Sequence, residues 1–108
     1  MNIKLRITDR RQNSFDVEAP TDMGLNLMQV FRAYEIEPQG TIGICGGVAM
    51  CSSCQCYVEN EVKVPEKKEI EAATLSRLMH VKSNSRLACQ IPITKDLDGL
   101  EIVLAPMF

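Results

Sequence analysis

Cys45-Gly46-Gly47-Val48-Ala49-Met50-Cys51-Ser52-Ser53-Cys54-Gln55-Cys56 is the stretch on which the reading of this chain turns. It holds four of the five cysteines. The fifth, Cys89, stands far downstream in Arg86-Leu87-Ala88-Cys89-Gln90-Ile91. Taken as Cys45-x5-Cys51-x2-Cys54 plus Cys89, the pattern supplies four thiolates. A [2Fe–2S] cluster needs four, two on each iron. Closely spaced thiols let one loop wrap such a cluster, and the distant one ties that loop to the body of the domain. Backbone N–H groups must also approach the sulfur atoms, because hydrogen bonds to sulfur tune the potential. Gly43, Gly46 and Gly47 permit the required backbone angles, and Ala49, Ser52 and Ser53 keep the loop narrow.

Other uses of the cysteines fit the pattern less well. Structural zinc modules show two Cys-x2-Cys pairs, or one such pair with a pair of histidines. This chain has a single such pair, Cys51 and Cys54, and a single histidine, His80, which is expected at the surface or a helix end. A zinc-stabilised structural domain is the distant alternative. Thiol–disulfide exchange by Cys51 and Cys54 would place them at a helix start, yet the segment runs straight into the strand-like Cys56-Tyr57-Val58. An odd, crowded set of thiols is unlike a secreted disulfide framework. A reducing compartment with metal-bound thiolates follows. In an extended segment Cys54 and Cys56 share a face, so Cys56 is expected near the cluster as a small core hydrophobe rather than a ligand.

The 108 residues suit one domain, 1–108, with a modest core. Hydrophobic residues make up 45% and charged residues 24%, with a formal net charge of −2. That balance gives no basic face for nucleic acid. The charged start, Met1 to Arg10, has no apolar signal region, and no run is long enough to span a membrane.

Ile3, Leu5 and Ile7 alternate with polar residues as in a half-buried strand, and Phe15 and Val17 suggest its hairpin partner. Asn26 reads as a helix N-cap with Gln29 reaching back to it. Leu27, Val30, Phe31 and Tyr34 form the expected buried stripe, and Pro38 and Gly40 the expected stop. Cys56 to Val58 reads as a strand. Pro65 should open a second helix, with Glu66 in its first turn and Ile70, Ala73 and Leu78 facing the core. Asp98-Gly99 marks a turn, and Leu100 to Leu104 reads as an interior strand covered on both faces. The pattern is α+β around one mixed sheet.

The cysteine spacing resembles that of the adrenodoxin and putidaredoxin group of [2Fe–2S] ferredoxins. Plant-type ferredoxins instead show Cys-x4-Cys-x2-Cys. Asn26-Leu-Met-Gln, Tyr57-Val58-Glu59, Asn84-Ser-Arg-Leu-Ala-Cys-Gln-Ile and Leu97-Asp-Gly-Leu extend the resemblance over nearly the whole chain. It implies a β-grasp fold with a cluster-binding loop and a one-electron carrier, not an enzyme. Such carriers take electrons from an NAD(P)H-dependent flavoprotein ferredoxin reductase. They deliver them to a cytochrome P450 or to the machinery that assembles iron–sulfur clusters. A monomer in the bacterial cytoplasm is expected, or in the mitochondrial matrix for a processed eukaryotic form.

The chain departs from the group in four places. Gln55 stands where many members have His, and Met50 where a small residue is usual. The helix after Pro65, strongly acidic in adrenodoxin-like members, here mixes Glu66, Glu69 and Glu71 with Lys67 and Lys68. The chain ends in Phe108, an aromatic expected to touch partners. Docking is therefore expected to lean on Val48, Ala49, Met50 and Phe108.

Overall fold

The hairpin forms as the alternation demands. In the computed structural model, which describes residues 2–36, 55–60, 64–78 and 80–106, β1 (Asn2–Thr8) pairs antiparallel with β2 (Ser14–Pro20), with Leu5 opposite Val17. Ile3, Leu5 and Ile7 are fully buried. Asp9 builds the connecting turn: its Oδ1 accepts from the backbone N–H of Arg11 (2.8 Å) and Asn13 (2.9 Å). Phe15 lies on the same face as Val17 but beyond the edge of the core, and is 42% exposed.

Among the described residues the sheet has five strands in the order β2-β1-β5-β3-β4, with β3 Gln55–Val58, β4 Ser85–Leu87 and β5 Leu100–Leu104. β5 is parallel to β1 and antiparallel to β3, so the sheet is mixed, as expected. β5 is interior within the sheet, but only one of its faces is covered. Leu100, Ile102 and Leu104 are buried, whereas Glu101 is exposed and Val103 half-buried. Four apolar positions in five hid that alternation. The turn before β5 has Gly99 at φ +86°, the third position of a type II turn, and Gly99 N donates to Lys4 O on β1. β4 escaped the sequence reading because three residues centred on an arginine carry no periodic signal.

Helix α1 (Leu27–Ala33) starts with the predicted capping box. Gln29 N donates to Asn26 Oδ1 (2.9 Å), and Asn26 N donates to Gln29 Oε1 (2.8 Å). Leu27, Met28, Val30 and Phe31 are buried. Tyr34 is not part of that stripe; it is 48% exposed, and its hydroxyl donates to Glu18 O. The helix stops before Pro38 and Gly40, which lie outside the described residues. Glu35 takes a left-handed conformation (φ +50°), Glu35 N donates to Arg32 O, and Ile36 N donates to Phe31 O. That pair of bonds is a Schellman closure, and the nearly buried Ile36 seals it.

Helix α2 (Glu69–Leu75) begins later than Pro65. Pro65 O accepts from Arg86 Nη1, and Lys68 remains extended as an N-cap without a side-chain bond. Its buried face is Glu71, Thr74 and Leu75. Leu78 packs against the core as expected, but Ile70 is 51% exposed and Ala73 is also outside. The sequence reading placed the apolar stripe one residue off, because it took Glu71 for a surface residue.

Replacing Asn26 by Ala should lower stability by about 1 kcal/mol, since the cap satisfies an otherwise orphaned N–H. Denaturant unfolding of Asn26→Ala should show a lower midpoint at unchanged slope.

Candidate metal centre

Of the four predicted ligands, Cys89 is described; Cys45, Cys51 and Cys54 lie outside the described residues. Cys89 sits in a short 3-10 turn (Ala88–Gln90) that follows β4 directly. Its side chain is nearly buried, and Gln90 Nε2 donates to Cys89 Sγ at 3.5 Å. β3 and β4 are antiparallel, with Gln55 opposite Leu87. The first residue of β3 and the last of β4 therefore share one end of the ladder. Cys54 precedes that first residue in sequence, and Cys89 follows that last one by two.

Two sets of bonds hold the Cys89 turn. On one side, Leu27 N donates to Ile91 O (2.9 Å) and Ile93 N to Leu25 O (2.8 Å), which fastens the chain after Cys89 to the start of α1. On the other, the buried Glu71 carboxylate grips β4. Glu71 Oε2 accepts from Arg86 Nε (2.7 Å) and from Leu87 N (2.8 Å), and Oε1 accepts from Arg86 Nη2 (3.1 Å). Both side chains are nearly inaccessible, at 9% for Arg86 and 1% for Glu71. The fork is bidentate, which suits guanidinium and carboxylate geometry. Sequence reading missed this pair. Its only trace was an acid and an arginine far apart in the chain, and neither motif nor period joins them.

Gln55, where relatives of the resembled group often carry His, is wholly buried. Ser85 Oγ donates to Gln55 Oε1 (3.0 Å) and accepts from Lys82 N (2.8 Å). A relay of neutral groups thus joins the residue after Cys54 to the 80–82 segment. His80 is exposed, and its carbonyl accepts from the Tyr57 hydroxyl. Cys56 is fully buried in the core, as expected of a small hydrophobe. Burial pushes its thiol up to about 12. Among the described residues no three His, Cys, Asp or Glu side chains gather as a metal site.

The donor chemistry at the described part suits an iron–sulfur cluster. It consists of a nearly buried sulfur on a clamped turn, a side-chain N–H directed at that sulfur, and apolar surroundings that include fully buried Leu87 and Ala88. The mixed five-stranded sheet with its two helices is consistent with the β-grasp architecture of ferredoxins, and Cys89 is the one predicted ligand placed among the described residues.

Comparison with known proteins agrees. Ferredoxin CarAc of Sphingomonas is 32% identical over 108 residues, covering 96% of this chain and 95% of that protein. A solved structure of a putidaredoxin variant, an Fe2S2 ferredoxin, superposes with a TM-score of 0.84 at 30% identity, covering 97% of this chain and 99% of that one. A putidaredoxin in covalent complex with putidaredoxin reductase gives 0.81 at 32% identity, covering 94% and 96%. No protein-family model matches. The chain belongs to the adrenodoxin- and putidaredoxin-type [2Fe–2S] ferredoxins.

Removing one partner of a buried ion pair leaves the other charge unpaired, at a cost of about 3–5 kcal/mol. Glu71→Ala should therefore unfold far more readily than wild type. Because Leu87 N also loses its acceptor, the visible cluster bands should be lost early in a thermal melt. Glu69→Ala, at an exposed position, should change stability by less than about 0.5 kcal/mol. Comparing the two melts checks the assignment.

The buried Cys56 thiol should resist iodoacetamide at pH 8 in the folded protein. Mass mapping after denaturation should find it unmodified by the native-state treatment. Rapid native-state alkylation would contradict the core placement.

Proposed function

We propose that residues 1–108 form a single ferredoxin domain that holds one [2Fe–2S] cluster on Cys45, Cys51, Cys54 and Cys89 and carries single electrons. The observation that carries this reading is the nearly buried Cys89 on its clamped turn, at the end of the ladder where β3 meets the Cys45–Cys54 run in sequence. A cluster bound there supplies reversible one-electron redox chemistry. The protein's own part is positional. Glu71 and Arg86 hold the Cys89 turn, Gln90 directs an N–H at its sulfur, and α1 closes the apolar side.

The donor in this reading is a flavoprotein ferredoxin reductase, supported by the complex of the related putidaredoxin with its reductase. The acceptor is a redox protein such as a cytochrome P450, and the carrier works as a monomer. The docking role expected of Val48, Ala49, Met50 and Phe108 falls on residues outside the described set and stays part of the proposal.

Anaerobically purified protein should be red-brown, with two iron and two sulfide per chain and visible bands that bleach on one-electron reduction. Serine at any of Cys45, Cys51, Cys54 or Cys89 should lose or cripple those bands, whereas Cys56→Ala should keep them. A colourless protein holding one zinc per chain after reconstitution would sink the proposal in favour of a zinc-stabilised structural domain.

A further inference from the structure

The core covers one face of the sheet. On the other face a cleft of about 570 Å³ opens above β3 and β5, a volume usual for small-molecule sites. Its floor is Tyr57 on β3 and Val103 on β5, which are cross-strand partners. One wall is the turn that joins β1 to β2, with Arg10 and Gln12, and the other is the 80–82 segment. Both walls are tied down. Gln12 N donates to Asp9 O (3.2 Å), and Arg10 Nε donates to Ala105 O (3.1 Å). Opposite, the Tyr57 hydroxyl donates to His80 O (2.5 Å), Ser85 N donates to Lys82 O (3.1 Å) and Val58 N donates to Asn84 O (3.0 Å). A cleft between two fixed turns exists before any ligand arrives, so little ordering opposes binding.

Backbone strain, charge and apolar lining coincide here. Among the described residues Gln12, Glu35 and His80 are the non-glycine residues with left-handed backbone, and Gln12 (φ +70°) and His80 (φ +62°) stand on opposite walls of this cleft. Such strain concentrates at ligand sites. The formally charged residues of the lining are Arg10 and Lys82 against Glu59, a cationic excess on a chain of net charge −2. Lys82 Nζ lies 4.3 Å from the centre of the Tyr57 ring, and among the described residues it takes part in no ion pair. A ring face orients an ammonium group without neutralising it. Val81 is 43% exposed at the rim, and Val103 and Pro106 continue the apolar surface.

We propose that this cleft binds a small organic carboxylate with an apolar body. The Lys82 ammonium takes the carboxylate, Arg10 adds positive potential, and Val81, Val103 and Pro106 cover the body. A bare inorganic anion would leave the apolar residues without a partner, and a neutral hydrocarbon would leave the ammonium without one. Glu59 repels a second negative charge, so the site selects monoanions over dianions. The cleft uses none of Cys45, Cys51, Cys54 or Cys89 and lies on the sheet face away from the core, so the proposal stands apart from the electron-carrier reading.

The test is an amide NMR titration of the cluster-loaded protein with 4-phenylbutyrate as the probe. Saturable shifts centred on Val81, Lys82 and Val103 are expected, with a Kd on the order of 1 mM for a ligand of so few atoms. Lys82→Gln should weaken binding about fivefold, and so should exchanging the probe for 4-phenylbutanamide, which keeps the body and removes the charge. Val81→Ser should weaken it about threefold. Glu59→Gln should tighten it about twofold, a gain that a misfolded variant cannot produce. Lys95→Gln, at an exposed position outside the cleft, makes the same charge change as Lys82→Gln and should leave the affinity unaltered. Shifts scattered over the surface, absence of saturation, equal affinity for the amide, or equal losses in Lys82→Gln and Lys95→Gln would overturn the proposal.

Discussion

The buried pair of Glu71 and Arg86 is the contact on which the site's geometry depends. It joins α2 to β4 across the chain and places a carboxylate oxygen on the Leu87 amide, two residues before Cys89. Taking two charges out of water is costly, and the pair persists because each has its hydrogen bonds filled. Arg86 reaches both carboxylate oxygens and the Pro65 carbonyl, and the carboxylate also accepts from the backbone. A hydrophobic substitute could match the volume but not hold the Leu87 N–H. The directionality of the bonds, more than their net energy, fixes where the Cys89 turn begins.

That clamp also shapes the molecule's exterior. Burying Glu71 turns α2 so that Thr74 and Leu75 face inward and Ile70 and Ala73 face outward. One acid is thereby withdrawn from the surface, and an apolar side chain is delivered to it.

The other side of the turn is held by neutral bonds. The capping box starts α1, and the first helical N–H, Leu27, reaches Ile91 just past Cys89. The Ser85–Gln55 relay runs from the 80–82 backbone to the first residue of β3. The Leu27–Ile91 and Ser85–Gln55 bonds span residues distant in sequence, so local opening of one would be resisted by the other.

Much of this was legible in the amino-acid order alone. Period-two alternation found β1 and β2, and the Asn26–Gln29 spacing found the capping box. Asp98-Gly99 marked its turn, and the cysteine spacing named a thiolate cluster. These signals are local: they depend on side-chain direction within a strand, on a cap three residues away, or on a backbone angle only glycine adopts freely. What only tertiary structure decided depends on partners far along the chain. The end of α1 is closed by a Schellman pair at Glu35, sealed by Ile36. Val103 and Glu101 stay outside because the sheet is covered on one face there, which composition cannot tell. Glu71 looked like one surface acid among three. It is buried because an arginine fifteen residues later folds back onto it, and a charge is kept from water only when such a partner is in place.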